Sequence, residues 1–216
     1  MTNDCPNIRS QSDLKNFLPV LANSIPQKTL LIHSCCGPCS STVLERLSKT
    51  FKITIFFYNP NIDTEEEFEK RYEEQTRLIK EMNLDINVIK GKYDENIFLN
   101  AIKGYEELGE KTIRCYKCYY ERMNEAALIA KKLNFDYFTT TLSISPHKNS
   151  NWINEIGIEL ENKYQINFLY SNFKLEDGYK RSIELSKEHN LYRQDYCGCK
   201  YSKKEAYERR KLKNID

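Results

Sequence analysis

The chain has 216 residues, with 33 Lys/Arg against 31 Asp/Glu, a net charge of +2, 40% hydrophobic and 30% charged residues. That length fits one domain with a core large enough to stand without disulfide staples, and so even a charge balance does not mark the whole chain as a polyanion binder. No apolar stretch approaches a bilayer span; the N-terminus MTNDCPNIRSQSD has no basic start followed by an apolar run, so no signal peptide is visible and the cytosol is the expected compartment.

Residues 28–33 (KTLLIH) read as a short buried strand, and 39–47 as a helix with Val43, Leu44 and Leu47 on one face. Residues 51–58 form a second strand, dense in β-branched and aromatic residues and stopped by Asn59-Pro60-Asn61. A long amphipathic helix follows over 64–81, with Thr64 and Glu67 spaced as a capping box. Residues 86–89 predict a third strand, 94–102 and 115–133 two helices, and 135–140 a fourth strand. A polar turn then leads to a helix over 152–163, a short strand at 167–170 and a helix near 179–188. This alternation predicts a three-layer Rossmann-like α/β domain with a mainly parallel sheet. The expected organisation is an N-terminal extension over 1–27, the α/β domain over 28–202 and a basic helical tail over 203–216. In such sheets ligands sit beyond the C-terminal strand ends. The segments after the first, second and fourth strands (CCGPC, Asn59-Pro60-Asn61 and TTTLSISPHK) should therefore line one edge.

Seven of the eight cysteines fall into three groups: Cys35, Cys36 and Cys39 in CCGPC, Cys115 and Cys118 in CYKC, and Cys197 and Cys199 in CGC. Cys5 stands outside them and reads as incidental. Cysteines kept reduced in the cytosol serve as metal ligands or reactive thiols more often than as bridges. Seven thiols exceed what one structural zinc needs and point to soft-metal or electron chemistry. Each group has a plainer reading. CYKC at a helix start resembles half of a zinc site, though no second CxxC of finger spacing exists. Cys36–Cys39 spells the thioredoxin CGPC, but a thioredoxin would leave five other cysteines idle. Cys197 and Cys199 can close only a small, strained disulfide ring, which is labile rather than structural, or they can chelate a metal. His33 reads as a core or near-site residue, and His147 lies in the loop after the fourth strand.

Taken together, these residues resemble the cobalamin-independent epoxyqueuosine reductases, the QueH-type family. The likeness runs from residue 30 to 202. It includes CCGPC, Phe57-Tyr58-Asn59-Pro60-Asn61-Ile62, Arg114-Cys115-x-x-Cys118, Thr139-Thr140-Thr141-Leu142-x-x-Ser145-Pro146, and Leu191-Tyr192-Arg193-Gln194-x-Tyr196-Cys197-Gly198-Cys199. The resemblance implies an iron–sulfur oxidoreductase. Its substrate would be tRNA carrying epoxyqueuosine at the wobble position, whose epoxide it reduces to the cyclopentene in the last step of queuosine synthesis. It implies that Cys35, Cys36, Cys115 and Cys118 bind a [4Fe–4S] cluster and that Cys197 and Cys199 form a redox-active pair.

Converting an epoxide to an alkene takes two electrons and two protons, whereas a [4Fe–4S] cluster ordinarily passes one electron at a time. A second redox element is therefore expected, and the Cys197/Cys199 dithiol is the candidate. Four thiols complete a cluster; Cys39, Cys197 and Cys199 are left to hold an additional iron beside it, where an open position would polarise the epoxide oxygen. Adjacent side chains of extended backbone diverge, so Cys35 and Cys36 reach one cluster only through a sharp turn at Gly37-Pro38. Tyr58, Asn59, Asn61, Ser145, Arg193 and Tyr196 are expected to hold the substrate base by stacking and edge hydrogen bonds, with Tyr192 of the same type. Lys148, Arg181, Arg193 and the tail residues Lys203, Lys204, Arg209, Arg210, Lys211 and Lys213 are candidates for tRNA phosphates. In the plainer reading of the tail, Glu205 and Glu208 serve as its salt partners. The electron donor is unidentified, and no membrane partner is expected. Rival readings are a zinc-stabilised binding module, a thioredoxin-like thiol oxidoreductase and an ATP-using thiolation enzyme. CCGPCSS makes a poor phosphate cradle for the last.

Overall fold

The computed structural model describes residues 8–213; Cys5 and residues 214–216 lie outside them. Five strands, β1 (Thr29–Ser34), β2 (Lys52–Phe57), β3 (Asn87–Lys90), β4 (Tyr137–Thr140) and β5 (Asn167–Phe168), form one parallel sheet in the order β3-β2-β1-β4-β5. Eight α-helices accompany them among the described residues, α1 (Gln11–Ala22), α2 (Gly37–Leu47), α3 (Glu65–Glu81), α4 (Glu95–Ala101), α5 (Ile113–Lys132), α6 (Ser150–Tyr164), α7 (Gly178–Glu188) and α8 (Lys200–Lys213), with a 3-10 helix at Thr141–Ile144.

Successive side chains of a strand point to opposite faces, so β1 feeds two cores. Leu30 and Ile32 enter one with Val43, Leu44 and Leu47 of α2 and Phe68 of α3. Leu31 enters the other with Met123, Ala126 and Ala127 of α5 and Ile153 and Ile156 of α6. A strand buried on both faces must be apolar almost throughout, which is why KTLLIH is legible in the sequence. The result is the expected three-layer α/β arrangement.

Helix α1 lies in the expected N-terminal extension, where the sequence predicts no element. Leu14, Phe17, Leu18 and Leu21 carry the helical spacing, but Pro19 argues against a helix interior. The helix forms because Ser10 caps it, accepting from the Asp13 N–H at 3.1 Å, and because Leu14 and Leu21 are buried in the α2/α3 core. At α3, half of the capping box forms. Thr64 accepts from the Glu67 N–H at 3.2 Å, but the Glu67 carboxylate turns away to Arg71 at 2.7 Å.

Gly157 lets α6 lie against the edge strand β5: a Cβ there would stand 2.2 Å from the Phe168 ring. We expect Gly157→Ala to destabilise the fold by about 2 kcal/mol, because overpacking outweighs the better helix propensity of alanine. A urea unfolding midpoint equal to wild type at unchanged slope would refute this.

The register sets up the site. His33, next to the end of β1, pairs with Phe56 on one side and Thr140 on the other. The segments that follow β1, β2 and β4 therefore leave the sheet side by side. The chain reverses its winding between β1 and β4, the place where open α/β sheets hold ligands.

Candidate metal centre

Strand β1 runs into Cys35 and Cys36. Cys36 is the N-terminal cap of α2, with extended backbone (φ −176°, ψ 160°), and the helix begins at Gly37-Pro38. This strand-to-helix turn overcomes the divergence of adjacent side chains. The Cys35 and Cys36 Sγ atoms lie 3.9 Å apart, and those of Cys35, Cys36 and Cys39 all fall within 4.8 Å of one another. The turn is anchored from α3, where the buried Gln75 Oε1 accepts from both Ser34 and Ser40 hydroxyls at 2.7 Å.

Cys115 and Cys118 occupy the first turns of α5. The CGC segment is held against them from the other side. The Gly198 carbonyl accepts from the Asp63 N–H at 2.9 Å, and Arg71 donates to the Cys197 carbonyl at 3.4 Å. Gly198 has φ +135°, a conformation that favours glycine, and a Cβ there would lie 3.1 Å from the Asn61 amide and 3.2 Å from Arg71. The Cys199 carbonyl accepts from Lys203 N–H at 3.0 Å and its Sγ from Ser202 N–H at 3.4 Å, in the first turn of α8. Cys35, Cys36, Cys39, Cys115 and Cys197 line one cavity of about 710 Å³. Cys118 and Cys199 do not line it; they are buried together with Phe98 and Ile102. The three distant thiol groups thus meet, and all seven described cysteines are free.

Four cations are buried around these sulfurs: Arg71 and Arg122 at 1% exposure, Arg114 at 3% and Lys148 at 9%. Arg71 pairs with Glu67 at 2.7 Å and Arg114 with Glu205 at 2.6 Å. Among the described ion pairs, none gives Arg122 or Lys148 a carboxylate. Arg122 donates to the Cys118 carbonyl (3.2 Å) and to Asn59 Oδ1 (3.4 Å), and its buried Nη2 has no partner among the described residues; neither has Arg71 Nη2. Burial opposes the charge on Arg122, but the sulfurs of Cys118, Cys197 and Cys35 hold its pKa above the ordinary value. Lys148 is likewise opposed by burial and held up by Cys197, Cys35 and Cys39.

The thiols respond to one another. Hydrogen bonds from Cys36 and Cys39 hold Cys35 well below the usual thiol range, while the bond to Cys35 pushes Cys36 up to about 11. Burial raises Cys115 and Cys199, and lifts Cys118 to about 12. His33 is pushed down to about 4 by burial and then by Arg122. Its neutral ring donates through Nε2 to the Tyr58 carbonyl at 2.9 Å and accepts at Nδ1 from Thr140 at 2.8 Å, tying the ends of three strands together.

A cation buried without a counter-charge is costly. Two such cations, orphaned guanidinium donors and seven converging thiols fit a bound anionic, sulfur-ligated metal assembly.

Several expected contacts are corrected. Ser145, Arg193 and Tyr196 line the cavity, and His147 stands exposed on its rim. Tyr58, Asn59 and Asn61 are buried and do not line it. Tyr58 stacks on Phe56 (5.5 Å, 10°), Asn59 donates to the Ser34 carbonyl at 2.9 Å, and Asn61 backs Gly198. They build the site rather than face it, because the chain after β2 turns inward beneath CCGPC. Lys148 lies among the thiols, not on a phosphate-facing surface. Arg181 is engaged by Glu45, Glu184 and Glu188. Tyr192 binds Glu67 through its hydroxyl at 3.1 Å. In α8, Lys203 pairs with Asp63, Arg209 with Glu110 and Arg210 with Asp195, while Glu205 reaches Arg114 rather than a tail lysine. The roles of Arg71, Arg122 and Gln75 are invisible in the sequence pattern. Arg122 alone leaves a trace, four residues after Cys118 and so on the same helix face.

A family model described as epoxyqueuosine reductase QueH matches residues 30–205. The epoxyqueuosine reductase QueH of Streptococcus pyogenes serotype M1 is 35% identical over 210 residues, covering 94% of this chain and 82% of that protein. The Thermotoga maritima protein of the same name is 39% identical over 184 residues, covering 84% and 93%. Among solved structures, the U34-tRNA thiolase NcsA from Methanococcus maripaludis with its [4Fe-4S] cluster covers 94% of this chain and 73% of its own at 10% identity and a TM-score of 0.48, too loose a likeness to carry an argument. The family match spans the strands, the turns and all three thiol groups, and the chain belongs to the epoxyqueuosine reductase QueH family.

Proposed function

We propose that this chain reduces the epoxide of epoxyqueuosine, carried at the wobble position of tRNA, to the cyclopentene of queuosine. The observation that carries the reading is the convergence of three thiol groups on one cavity walled by a buried lysine that no carboxylate pairs among the described residues. Cys35, Cys36, Cys115 and Cys118 would hold a [4Fe–4S] cluster, which when bound supplies electrons at low potential. Cys39, drawn in beside Cys35 and Cys36, is left for an additional iron.

The CGC pair accounts for the stoichiometry. Two thiols oxidised to one disulfide deliver two electrons and two protons. Both epoxide C–O bonds break, a C=C bond forms, and the oxygen leaves as water carrying those protons. Cys197 faces the cavity, and Cys199 stands behind it with its sulfur held by Ser202. The cavity is of single-nucleoside rather than duplex size, so the modified base must leave the anticodon loop to enter it. Arg193, Tyr196 and Ser145, which line the wall, would receive it. Tyr196 is itself fixed, donating to Asp63 at 2.6 Å.

Reduced, anaerobically reconstituted protein should convert tRNA bearing epoxyqueuosine to tRNA bearing queuosine, read as nucleoside mass after digestion. Iron-loaded protein that leaves the epoxide intact refutes the proposal. Iron counted on the same preparation tests the additional metal: strictly four irons per chain argue against it.

A further inference from the structure

Lys148 comes after Ser145-Pro146-His147 in the segment that follows β4 and the 3-10 helix Thr141–Ile144; β4 is the strand that pairs with β1. Its main chain is fixed at both ends: the N–H donates to the Ser145 carbonyl at 3.2 Å, and the carbonyl accepts from Lys174 Nζ at 2.9 Å. The side chain is 9% exposed and lines the cavity. The cavity wall carries other basic groups, but Lys111, Arg193 and Arg209 are exposed, and Arg209 is paired with Glu110. Lys148 is the one buried cation on that wall among the described residues. Arg71, Arg114 and Arg122 do not line it.

The chemistry asks for such a group. As an epoxide C–O bond breaks, negative charge collects on the oxygen, and a fixed donor in a water-poor site is worth far more there than in solvent. An ammonium has three donors and no acceptor. Lys148 shares the wall with Cys35, Cys39 and Cys197, whose sulfurs accept weakly, and no carboxylate pairs with it among the described residues. Its donors are therefore left for something that enters the cavity.

We propose that the Lys148 ammonium hydrogen-bonds the epoxide oxygen of the bound nucleoside and carries its charge as the C–O bonds break. This rests on the reductase reading and adds to it a residue that touches the reacting atom. The electrons and both protons still come from the CGC dithiol, which becomes the disulfide as the oxygen departs as water; Lys148 keeps its proton throughout.

The test uses reconstituted wild type, Lys148→Met and Lys148→Arg. Wild type should bind tRNA bearing epoxyqueuosine more tightly than tRNA bearing queuosine, and Lys148→Met should erase that preference, a readout independent of turnover. At saturating tRNA the single-turnover rate of Lys148→Met should fall about 100-fold, as for loss of one oxyanion donor, with KM little changed and iron content equal to wild type. Lys148→Arg should recover part of the rate. A Lys148→Met rate within about threefold of wild type overturns the inference. So does a rate loss that merely tracks loss of iron, which would make Lys148 a charge partner of the metal centre alone. Failure of the reductase reading is separate, because it shows in wild type before any variant is made.

Discussion

Cys115→Ala and Cys197→Ala should both end turnover, but only the first should bleach the protein. Cys115 stands in the opening turn of α5, on the cavity wall, with Cys118 three residues on and buried behind it. Removing it takes one of four ligands from the proposed cluster, and an iron–sulfur centre short of a thiolate is not retained. Cys197 belongs to a different element, a short segment set between the loop after β2 and the start of α8. Its partner Cys199 is fastened to that helix through Ser202. Without Cys197 no disulfide can form, so the two-electron couple is lost outright while the four cluster ligands remain. Neither loss should come from unfolding: Cys115 and Cys197 are both half-buried and small, and truncating such residues changes stability by about 1 kcal/mol or less. Anaerobic absorption, iron content and nucleoside mass on the two variants decide the matter. A Cys197→Ala protein that loses its colour and iron would make Cys197 a ligand and end its assignment to a redox pair.

Much of this arrangement is written in the sequence, and physics says which part. Strands β1 and β2 are legible because burial on both faces demands unbroken apolar runs. The edge they share is legible because parallel strands release their following loops on one side. The thiols announce themselves by residue type. What the sequence withholds is direction. Tyr58, Asn59 and Asn61 have the chemistry of base-binding residues, yet Asn59 spends its amide on the Ser34 carbonyl and Arg122, and Tyr58 lies on Phe56. Lys148 has the chemistry of a phosphate contact, yet the fixed loop after β4 turns it inward to the sulfurs. Arg71 sits in an acidic, solvent-type helix sequence, and only the packing of α3 under CGC shows that it is buried. Residue type names what a side chain can do, while tertiary register decides which face it does it on. Helix α1 is the local counterpart: its apolar spacing is present, but Pro19 outweighs it until Leu14 and Leu21 find a core.

Arg122→Met should have opposite consequences with and without metal. Without metal, Arg122 has no carboxylate and no Nη2 partner among the described residues, in a fully enclosed position. Replacing such a charge by an apolar side chain of similar length is often neutral or stabilising, and methionine adapts to an irregular space. Two carbonyl oxygens, of Cys118 and of the Asn59 side chain, lose a donor in exchange. That loss is common to the metal-free and loaded proteins, so it cancels from the difference between them. What does not cancel is the attraction between the guanidinium and the anionic sulfur-ligated metal. The stability gained on loading should therefore shrink by about 3 kcal/mol in Arg122→Met, the scale of breaking a buried charge pair from one side. By linkage that corresponds to roughly 100-fold weaker metal binding. Denaturant unfolding of both forms of both proteins under anaerobic conditions measures the difference. Equal loading gains in wild type and Arg122→Met would mean that the guanidinium does not face the metal, and the electrostatic case for an anionic centre at this site would fall with it.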